Sequence, residues 1–363
     1  MIYLDYQATT PLAPEVKAAM LPWLDRFANP HSASRAGREA AAAVEHARGQ
    51  VAALMPQGGR FLFTSGATEA LNMALRSVSG RIVTVASEHA AVLDTAEWLR
   101  GEGRDVEVLP VGRDGLLDLD RLRAALRVPT ALVAVMLVNN EIGVIQPVGA
   151  IAELAHEAGA LMLCDAVQGF GRMPVSDGPD FIACSAHKIH GPKMIGGLWV
   201  RDGVTVTPLL HGGGQEQGLR SGTLSPMLCA GFGVAAALAA ERQEADHVHV
   251  DQLWHGAIDA LGPGWTINGS TGQRYRGNLN LRRDGLDAAR LLAECRKIAF
   301  SLGSACASGS GRPSHVLRAL GLSAAEARQS IRLGFGRYTT PEEVEEACTL
   351  IRDASEAQQR FAA

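Results

Sequence analysis

Residues 181–193 read FIACSAHKIHGPK, and Lys188 follows directly after a short apolar run. Residues 160–168, ALMLCDAVQ, have the same design, because Asp165 and Gln168 come just after another apolar run. Short apolar runs of this kind are typical of buried strands. The two stretches therefore predict adjacent strands whose ends carry a lysine and a carboxylate.

Strand-like and helix-like segments alternate around these two stretches, from about residue 60 to residue 200. Such alternation with short linkers predicts βαβ units, and so an α/β fold with a mostly parallel sheet flanked by helices. The strand-like runs are 60–63, 82–85, 106–109 and 131–138, and the helical stretches are 35–54 and those that begin at Ala67, Ala90, Asp118 and Val148.

Polar clusters follow five of the strand-like runs. They are residues 65–68, 87–89, 139–141, 165–168 and 185–188. Ligands of open parallel sheets bind beyond the carboxyl ends of the strands. We therefore expect the five clusters to converge on one edge of the sheet.

A lysine and a carboxylate at the ends of adjacent strands are what a pyridoxal phosphate site needs. The lysine holds the aldehyde as a Schiff base, and the carboxylate keeps the pyridine nitrogen protonated, so that the ring acts as an electron sink. The strand-to-helix passage at 64–69 offers backbone N–H groups and the Thr68 hydroxyl to a phosphate. Structural alternatives stay open: Lys188 as a surface lysine, Asp165 or the segment before Thr68 as a helix cap, and His89 as a structural histidine.

Cys306 lies in the loop SLGSACASGSG, residues 301–311. A cysteine among Gly, Ser and Ala has no apolar neighbours in sequence to pack against, and such a loop is expected to be mobile and exposed. We interpret Cys306 as a nucleophile, with an incidental loop thiol as the alternative. A nearby base or cation would help it, since few free thiols ionise at neutral pH.

The composition excludes several classes of protein. The net charge is −4 with no basic block, so nucleic acid is not an expected partner. No membrane span or signal peptide is predicted, and none of the six cysteines is paired as C-x-x-C, a usage typical of a reducing cytoplasm. No spacing of cysteine or histidine predicts a metal site.

The length of 363 residues predicts two domains. A polar break at 241–246 and the shorter elements after it indicate the boundary. We expect a large cofactor-binding domain at 15–245, and a small α+β domain made of 1–14 with 246–363 that carries the Cys306 loop.

Nearly the whole chain resembles the cysteine desulfurases, within the class V aminotransferase family of fold-type I pyridoxal phosphate enzymes. The motifs that carry the resemblance are YLD at 3–5, ATTP at 8–11, FTSGATE at 63–69, EH at 88–89, NNEIG at 139–143, DAVQ at 165–168, SAHK at 185–188, GGGQE at 212–216, RSGT at 220–223, HVL at 315–317 and RYTT at 337–340. The spacing from Cys306 to His315 is similar to that of the long-loop group (group I), whose cysteine delivers the sulfur.

The resemblance implies a role for each site residue. Lys188 would hold the cofactor and shuttle the Cα proton, Asp165 would pair with the pyridine nitrogen, Gln168 with the ring hydroxyl, and His89 would stack on the ring. The cofactor-binding set further includes Ala67, and for the phosphate Thr68, Ser185, His187 and Thr223, the last from the other subunit of a homodimer. Asn140 and Arg332 would orient the substrate carboxylate.

The same resemblance implies the reaction. The Cys306 thiolate would attack the sulfur of bound L-cysteine, leaving a persulfide and releasing L-alanine. A sulfur acceptor or iron–sulfur scaffold protein would then take the sulfur for clusters or thiolated products. Two alternatives remain: a selenocysteine lyase or other class V aminotransferase-like enzyme, and a weakly active paralogue serving as an assembly partner.

The chain departs from the family pattern at four positions. His190 stands where Tyr is common, Met194 where Gly is usual, Gln217 replaces Arg and Gly334 replaces Ser. None removes a catalytic group, and Met194 is placed to alter the backbone beside Lys188. The chain also ends at Ala363 without the longer scaffold-docking tail of many housekeeping members, which leaves the acceptor open.

Overall fold

The computed structural model describes residues 1–302 and 313–362. The predicted loop with Cys306 lies outside the described residues. The strands are β1 (Ile2–Tyr3), β2 (Gly59–Thr64), β3 (Ile82–Val85), β4 (Val106–Leu109), β5 (Leu132–Met136), β6 (Leu161–Asp165), β7 (Phe181–Ser185), β8 (Gly196–Arg201), β9 (Thr266–Ile267), β10 (Asn278–Arg282), β11 (Ile298–Ala299) and β12 (Ser330–Gly334).

Helices flank these strands. They are α1 (Pro14–Met20), α2 (Arg35–Ala52), α3 (Ala67–Ser77), α4 (Ala90–Gly101), α5 (Leu119–Ala125), α6 (Val148–Glu157), α7 (Pro226–Leu261), α8 (Ala288–Glu294), α9 (His315–Ala319), α10 (Ala324–Arg328) and α11 (Pro341–Ala362). Short 3₁₀ turns occupy Leu21–Trp23, Ala186–Lys188 and Glu216–Gly218. No helix of the described ranges is long and apolar enough to cross a membrane.

The central sheet has seven strands in the order β2-β8-β7-β6-β5-β3-β4. All of them run in the same direction except β8, which is antiparallel to both of its neighbours. Strands β3, β5 and β7 are buried along their full length, as strands covered by helices on both faces must be. The predicted α/β fold with a mostly parallel sheet is confirmed.

Helix α7 is the longest helix and contains the polar segment 241–246. This segment was predicted to mark a break, and that prediction is wrong: its charged side chains lie mainly on the exposed side of a continuous helix. No Pro or Gly lies between Gly233 and Gly256 to interrupt the helix. The predicted boundary between residues 245 and 246 therefore lies inside α7, and the division into domains stays a prediction.

The N-terminal segment connects the smaller sheets with the lysine loop. Strand β1 pairs in parallel with β11, and Asp5 forms a bridge with Gly334 at the end of β12. The chain then turns, with the Ala8 N–H donating to Asp5 O at 2.9 Å. Two residues later the Thr10 N–H donates to His187 O at 3.0 Å, which places residues 5–10 against the predicted site.

Candidate active site

A cavity of about 610 Å³ lies at the carboxyl ends of the parallel strands. Ten of the predicted site residues line it: Ala67, Thr68, His89, Asn140, Asp165, Gln168, Ser185, His187, Lys188 and Arg332. The expected convergence of polar clusters on one edge is thus present. Thr223 is exposed and lies outside this lining, and Cys306 lies outside the described residues.

Asp165 is the last residue of β6 and neighbours β7, the strand that leads to Lys188. The two strands are parallel, with Asp165 opposite Ala183. Its Oδ1 accepts the Val167 N–H at 2.9 Å, and a turn follows it, so the alternative of a helix cap is wrong. Adjacent parallel strands therefore bring the carboxylate and the lysine to the same cavity.

Burial governs the charge on Asp165. Loss of solvent raises the pKa of its carboxyl group, while the electrostatic effects of His89 and Lys188 act in the opposite direction. Such a carboxylate is poorly solvated and gains from a cationic partner, which a protonated pyridine nitrogen supplies. The site thus fits the predicted role of Asp165.

Lys188 ends the 3₁₀ turn that follows β7. Its Nζ donates to Gln7 O at 2.6 Å and to Ala8 O at 2.8 Å. Arg172 donates to Lys188 O and to Gln168 Oε1, each at 2.7 Å. Gln7 and Arg172 were not predicted, and both hold predicted site residues in place.

The N-terminus of α3 forms the other end of the cavity. Gly66 precedes the helix and offers no side chain to cap it, so the first N–H groups face a space suited to an anion. A Cβ on Gly196 would lie 2.9 Å from the carbonyl carbon of Gly66, so glycine at 196 permits this close approach. Thr68 lies in the first turn of α3 and, like Ser185 and His187, lines the cavity.

His187 is neutral at physiological pH. Burial, assisted by the positive charge of Lys188, lowers its pKa to about 4. Its Nδ1 lies 3.1 Å from Thr9 Oγ1. The ring is therefore fixed and able to donate one hydrogen bond to a ligand without carrying charge.

His89 is the N-cap of α4, and both the structural and the functional interpretation apply to it. Its Nδ1 accepts the Ala91 N–H at 3.0 Å, which caps the helix. The same ring lines the cavity. In the neutral ring the proton must then be on Nε2.

Glu88 is a fully buried carboxyl behind His89; the sequence placed it in the polar cluster 87–89 but gave it no role. It accepts the backbone N–H groups of Met136 and His89. Burial, and then the charge of Asp165, raise its pKa well above the usual range. The charge of Asp165 thus disfavours a second negative charge at Glu88.

Arg332 comes from β12, is 1 % exposed, and bridges three segments. It donates to Asp5 Oδ1 at 2.7 Å, Ser301 Oγ at 3.1 Å and Asn140 O at 3.0 Å. Among the described residues, Arg332 Nε and Asn140 Oδ1 have no hydrogen-bond partner. Buried polar atoms of this kind are ordinarily satisfied, which points to a polar ligand beside them.

Two of the four departures from the family pattern lie beside Lys188 and have left-handed backbone. Met194 has φ 64° and His190 has φ 66°, a region that favours glycine. Met194 lines the cavity and is 73 % exposed, so packing does not explain its conformation. His190 is buried, with its ring 4.9 Å from that of Tyr338.

These residues fit pyridoxal phosphate. The cavity offers a buried carboxylate, a lysine and an uncapped helix N-terminus around one space, and these match the pyridine, aldehyde and phosphate of that cofactor. Within residues 1–302 and 313–362 there is no group of three or more His, Cys, Asp or Glu side chains that could hold a metal ion.

The comparisons with known proteins agree with this site. The model of the family described as "Aminotransferase class-V" matches residues 2–346. The chain belongs to that family. The cysteine desulfurase IscS of Rickettsia bellii is 45% identical over 368 residues, which cover 96% of this chain and 90% of the relative.

Solved structures show the same similarity. The NifS-like protein from Rickettsia africae ESF-5 superposes with a TM-score of 0.90 at 30% identity, covering 97% of this chain and 99% of that one. A structure described as "SspA in complex with cysteine" superposes with a TM-score of 0.83 at 34% identity, covering 94% and 100%. The predicted family, fold, dependence on pyridoxal phosphate and cysteine desulfurase activity are confirmed.

Proposed function

We propose that this chain desulfurates L-cysteine with Cys306 as the sulfur-accepting nucleophile. The Cys306 thiolate attacks the substrate sulfur, the C–S bond breaks and an S–S bond forms. The electron pair passes to the substrate carbon, which is protonated to give L-alanine, and Cys306 keeps a persulfide. The observation that supports this best is the placement of Lys188, Asp165 and Arg332 around one cavity.

Pyridoxal phosphate, when bound, supplies the electron sink for this bond cleavage. Lys188 moves the Cα proton, and its contacts with two carbonyl oxygens hold the amine at the cavity wall. Asp165 would pair with the pyridine nitrogen, Gln168 with the ring hydroxyl, and His89 would stack on the ring. Arg332, whose Nε has no hydrogen-bond partner among the described residues, orients the substrate carboxylate together with Asn140.

The phosphate is held by Ala67, Thr68, Ser185 and His187, joined by Thr223 from the second subunit of a homodimer. The exposed position of Thr223, away from its own chain's cavity lining, supports a contribution in trans. The large domain spans 15–245, and the small domain combines 1–14 with 246–363.

The sulfur acceptor is an iron–sulfur scaffold or a thiolating protein, and the name IscS of the relatives supports the first. A cytoplasmic location is supported by Cys164, Cys184, Cys229, Cys295 and Cys348, all free and buried.

The test is alanine and sulfide release from L-cysteine with a thiol reductant, for the wild type and Cys306→Ala. Cys295→Ala is the matched control, because Cys295 is buried and lies outside the cavity lining. Wild type and control should release both products, and Cys306→Ala neither, while all three keep the visible absorption of the cofactor. Selenocysteine is run in parallel, since activity on it alone would favour a selenocysteine lyase.

A further inference from the structure

Gln7 lies between the lysine loop and the end of β12, and it is 3 % exposed. Its backbone oxygen accepts two hydrogen bonds, from Lys188 Nζ at 2.6 Å and from Gln168 Nε2 at 2.9 Å. Both donors belong to the site described above. The position of the Gln7 carbonyl therefore bears directly on where the lysine amine and the Gln168 amide lie.

The side chain of Gln7 holds the backbone carbonyl of the same residue in place through a separate contact. Its Nε2 donates to Gly277 O at 2.7 Å in a buried position. Gly277 directly precedes β10, and its oxygen also accepts the Phe335 N–H at 2.8 Å. The turn at residues 5–8 is thus tied through one side chain to the strands of the small sheet.

Gly334, the last residue of β12, makes room for this side chain. A Cβ at Gly334 would lie 1.9 Å from Gln7 Oε1 and 2.8 Å from Tyr6 N. The φ of Gly334 is not positive. Glycine is therefore required here because there is no room for a side chain, and not because of the backbone conformation. A residue larger than glycine at 334 would therefore displace the Gln7 side chain from its observed position.

We propose that Gln7 is a positioning residue for Lys188 and that it works only as a pair with Gly334. The pair fixes the turn whose Gln7 and Ala8 oxygens receive the lysine amine. This inference rests on the proposed function only for its effect on turnover. Its structural content is independent of which amino acid the enzyme cleaves.

The test compares Gly334→Ser, Gln7→Ser and the double variant with the wild type. Each protein is loaded with pyridoxal phosphate, and its visible absorption is titrated with pH in the absence of substrate. Carbonyl oxygens near the lysine nitrogen favour its protonated form, so Gly334→Ser should move the absorption transition to lower pH by about half a unit. Rebinding of cofactor to the stripped protein should weaken by roughly tenfold.

Serine at position 7 is too short to reach Gly277 O, and it removes the 1.9 Å contact that a Cβ at position 334 would make with Gln7, while the 2.8 Å contact with Tyr6 N stays. Gln7→Ser should therefore shift the transition in the same direction, and adding Gly334→Ser should shift it by clearly less than Gly334→Ser shifts the wild type. Gly336→Ser is the matched control, since its Cβ would meet the Tyr6 ring at 2.1 Å instead of Gln7. Gln7→Ser should not rescue that variant.

Additive effects of the two substitutions, or a Gly334→Ser protein with the wild-type titration, would overturn the pairing. If Gly334→Ser does not fold, the double variant decides: it should fold and behave nearly as Gln7→Ser does, and failure to fold would show that the contact with Tyr6 N, and not Gln7, excludes a side chain at 334, which would refute the pair. A wild type that binds the cofactor but leaves L-cysteine intact would contradict the proposed function and leave this test in force.

Discussion

Asp165 is the residue whose chemistry depends most on its surroundings. Replacing it with Asn keeps the size and the acceptor for the Val167 N–H but removes the charge. We expect Asp165→Asn to lower kcat for L-cysteine by about 10²-fold or more, because a preorganised charge in a dry site is lost. Alanine release measured at saturating cofactor is the readout.

Asp180→Asn is the matched control for that variant. Asp180 is also buried beside a strand of the central sheet, but it pairs with His156 at 2.8 Å and Arg201 at 3.2 Å, away from the cavity lining. It should cost about 2 kcal/mol of stability with kcat nearly unchanged. Equal kcat for Asp165→Asn and the wild type would show that Asp165 does not act on the cofactor.

His187 should make the stability of the protein depend on pH. Its pKa is about 4 in the folded chain against 6.5 for the free side chain, so the unfolded chain takes up the proton first. Stability is therefore complete above pH 6.5 and is lost as the pH falls towards 4, with a slope of at most about 1.4 kcal/mol per unit from this one group. Urea unfolding of wild type and His187→Gln across this window isolates the contribution, since the other groups cancel, and identical slopes would refute it.

Met194 holds a left-handed conformation with little packing in return. Met194→Gly should raise the free energy of unfolding by about 0.5 to 1 kcal/mol, because glycine adopts φ 64° without a Cβ penalty. Leu24→Gly is the control, since Leu24 is also exposed but has φ −67°. It should give no stabilisation, and a stabilisation equal to that of Met194→Gly would point away from backbone strain.

At the scale of elements, α7 shows how a distant contact fixes the small sheet. Asp246 on this helix accepts two hydrogen bonds from the buried Arg337, which follows β12, at 2.7 and 2.9 Å. We expect Asp246→Ala to cost about 2 to 3 kcal/mol, because it leaves a largely buried guanidinium without its carboxylate. Chemical unfolding is the measurement.

Two further variants test whether charge is the cause. Adding Arg337→Met to Asp246→Ala should recover much of the loss, since no buried charge is then left over. Glu294→Ala, which breaks the exposed Arg290–Glu294 pair on α8, should cost under about 0.5 kcal/mol. A loss of similar size in both single variants would exclude burial as the deciding factor.

The sequence predicts long, strongly patterned elements well and short ones poorly. Strands β3 and β4 have the predicted bounds, and each begins directly after a charged residue, Arg81 and Asp105. Strand β8 was missed, because GGLWVR opens with two glycines that weaken the strand pattern. Strands β1, β9 and β11, of two residues each, depend on distant partners that no local pattern reveals.

The site follows the same rule. Lys188, Asp165 and His89 follow strand-like runs and could be found from that position alone. Gln7 contacts residues that are distant in the sequence, and Arg172 lies outside any predicted element. For Gln7 one signal was present in the sequence, the glycine at 334 where serine is usual, but only the folded geometry joins the two positions.

At the scale of the whole molecule, the proposed homodimer makes a prediction about shared sites. If Thr223 serves the partner's phosphate, mixing Lys188→Ala with Thr223→Ala protein creates one site that has both residues. Mixed dimers should then bind cofactor more tightly and turn over faster than Thr223→Ala alone. Cofactor titration after subunit exchange measures this, with each variant alone as the control. If mixing increases neither cofactor affinity nor turnover, Thr223 serves its own subunit's site or lies outside the site.

The N-terminal turn has a consequence for synthesis on the ribosome. Residues 2–8 are translated among the first, yet β11, which pairs with residues 2–3, begins only at Ile298, and the bridge partner of Asp5 is Gly334 at the end of β12. A nascent chain that already displays Lys188 and Asp165 still lacks the strands that hold the lysine's acceptors in place. Loading with cofactor should therefore await release of nearly the full chain, so that premature termination yields protein with an incomplete site rather than a partly active enzyme.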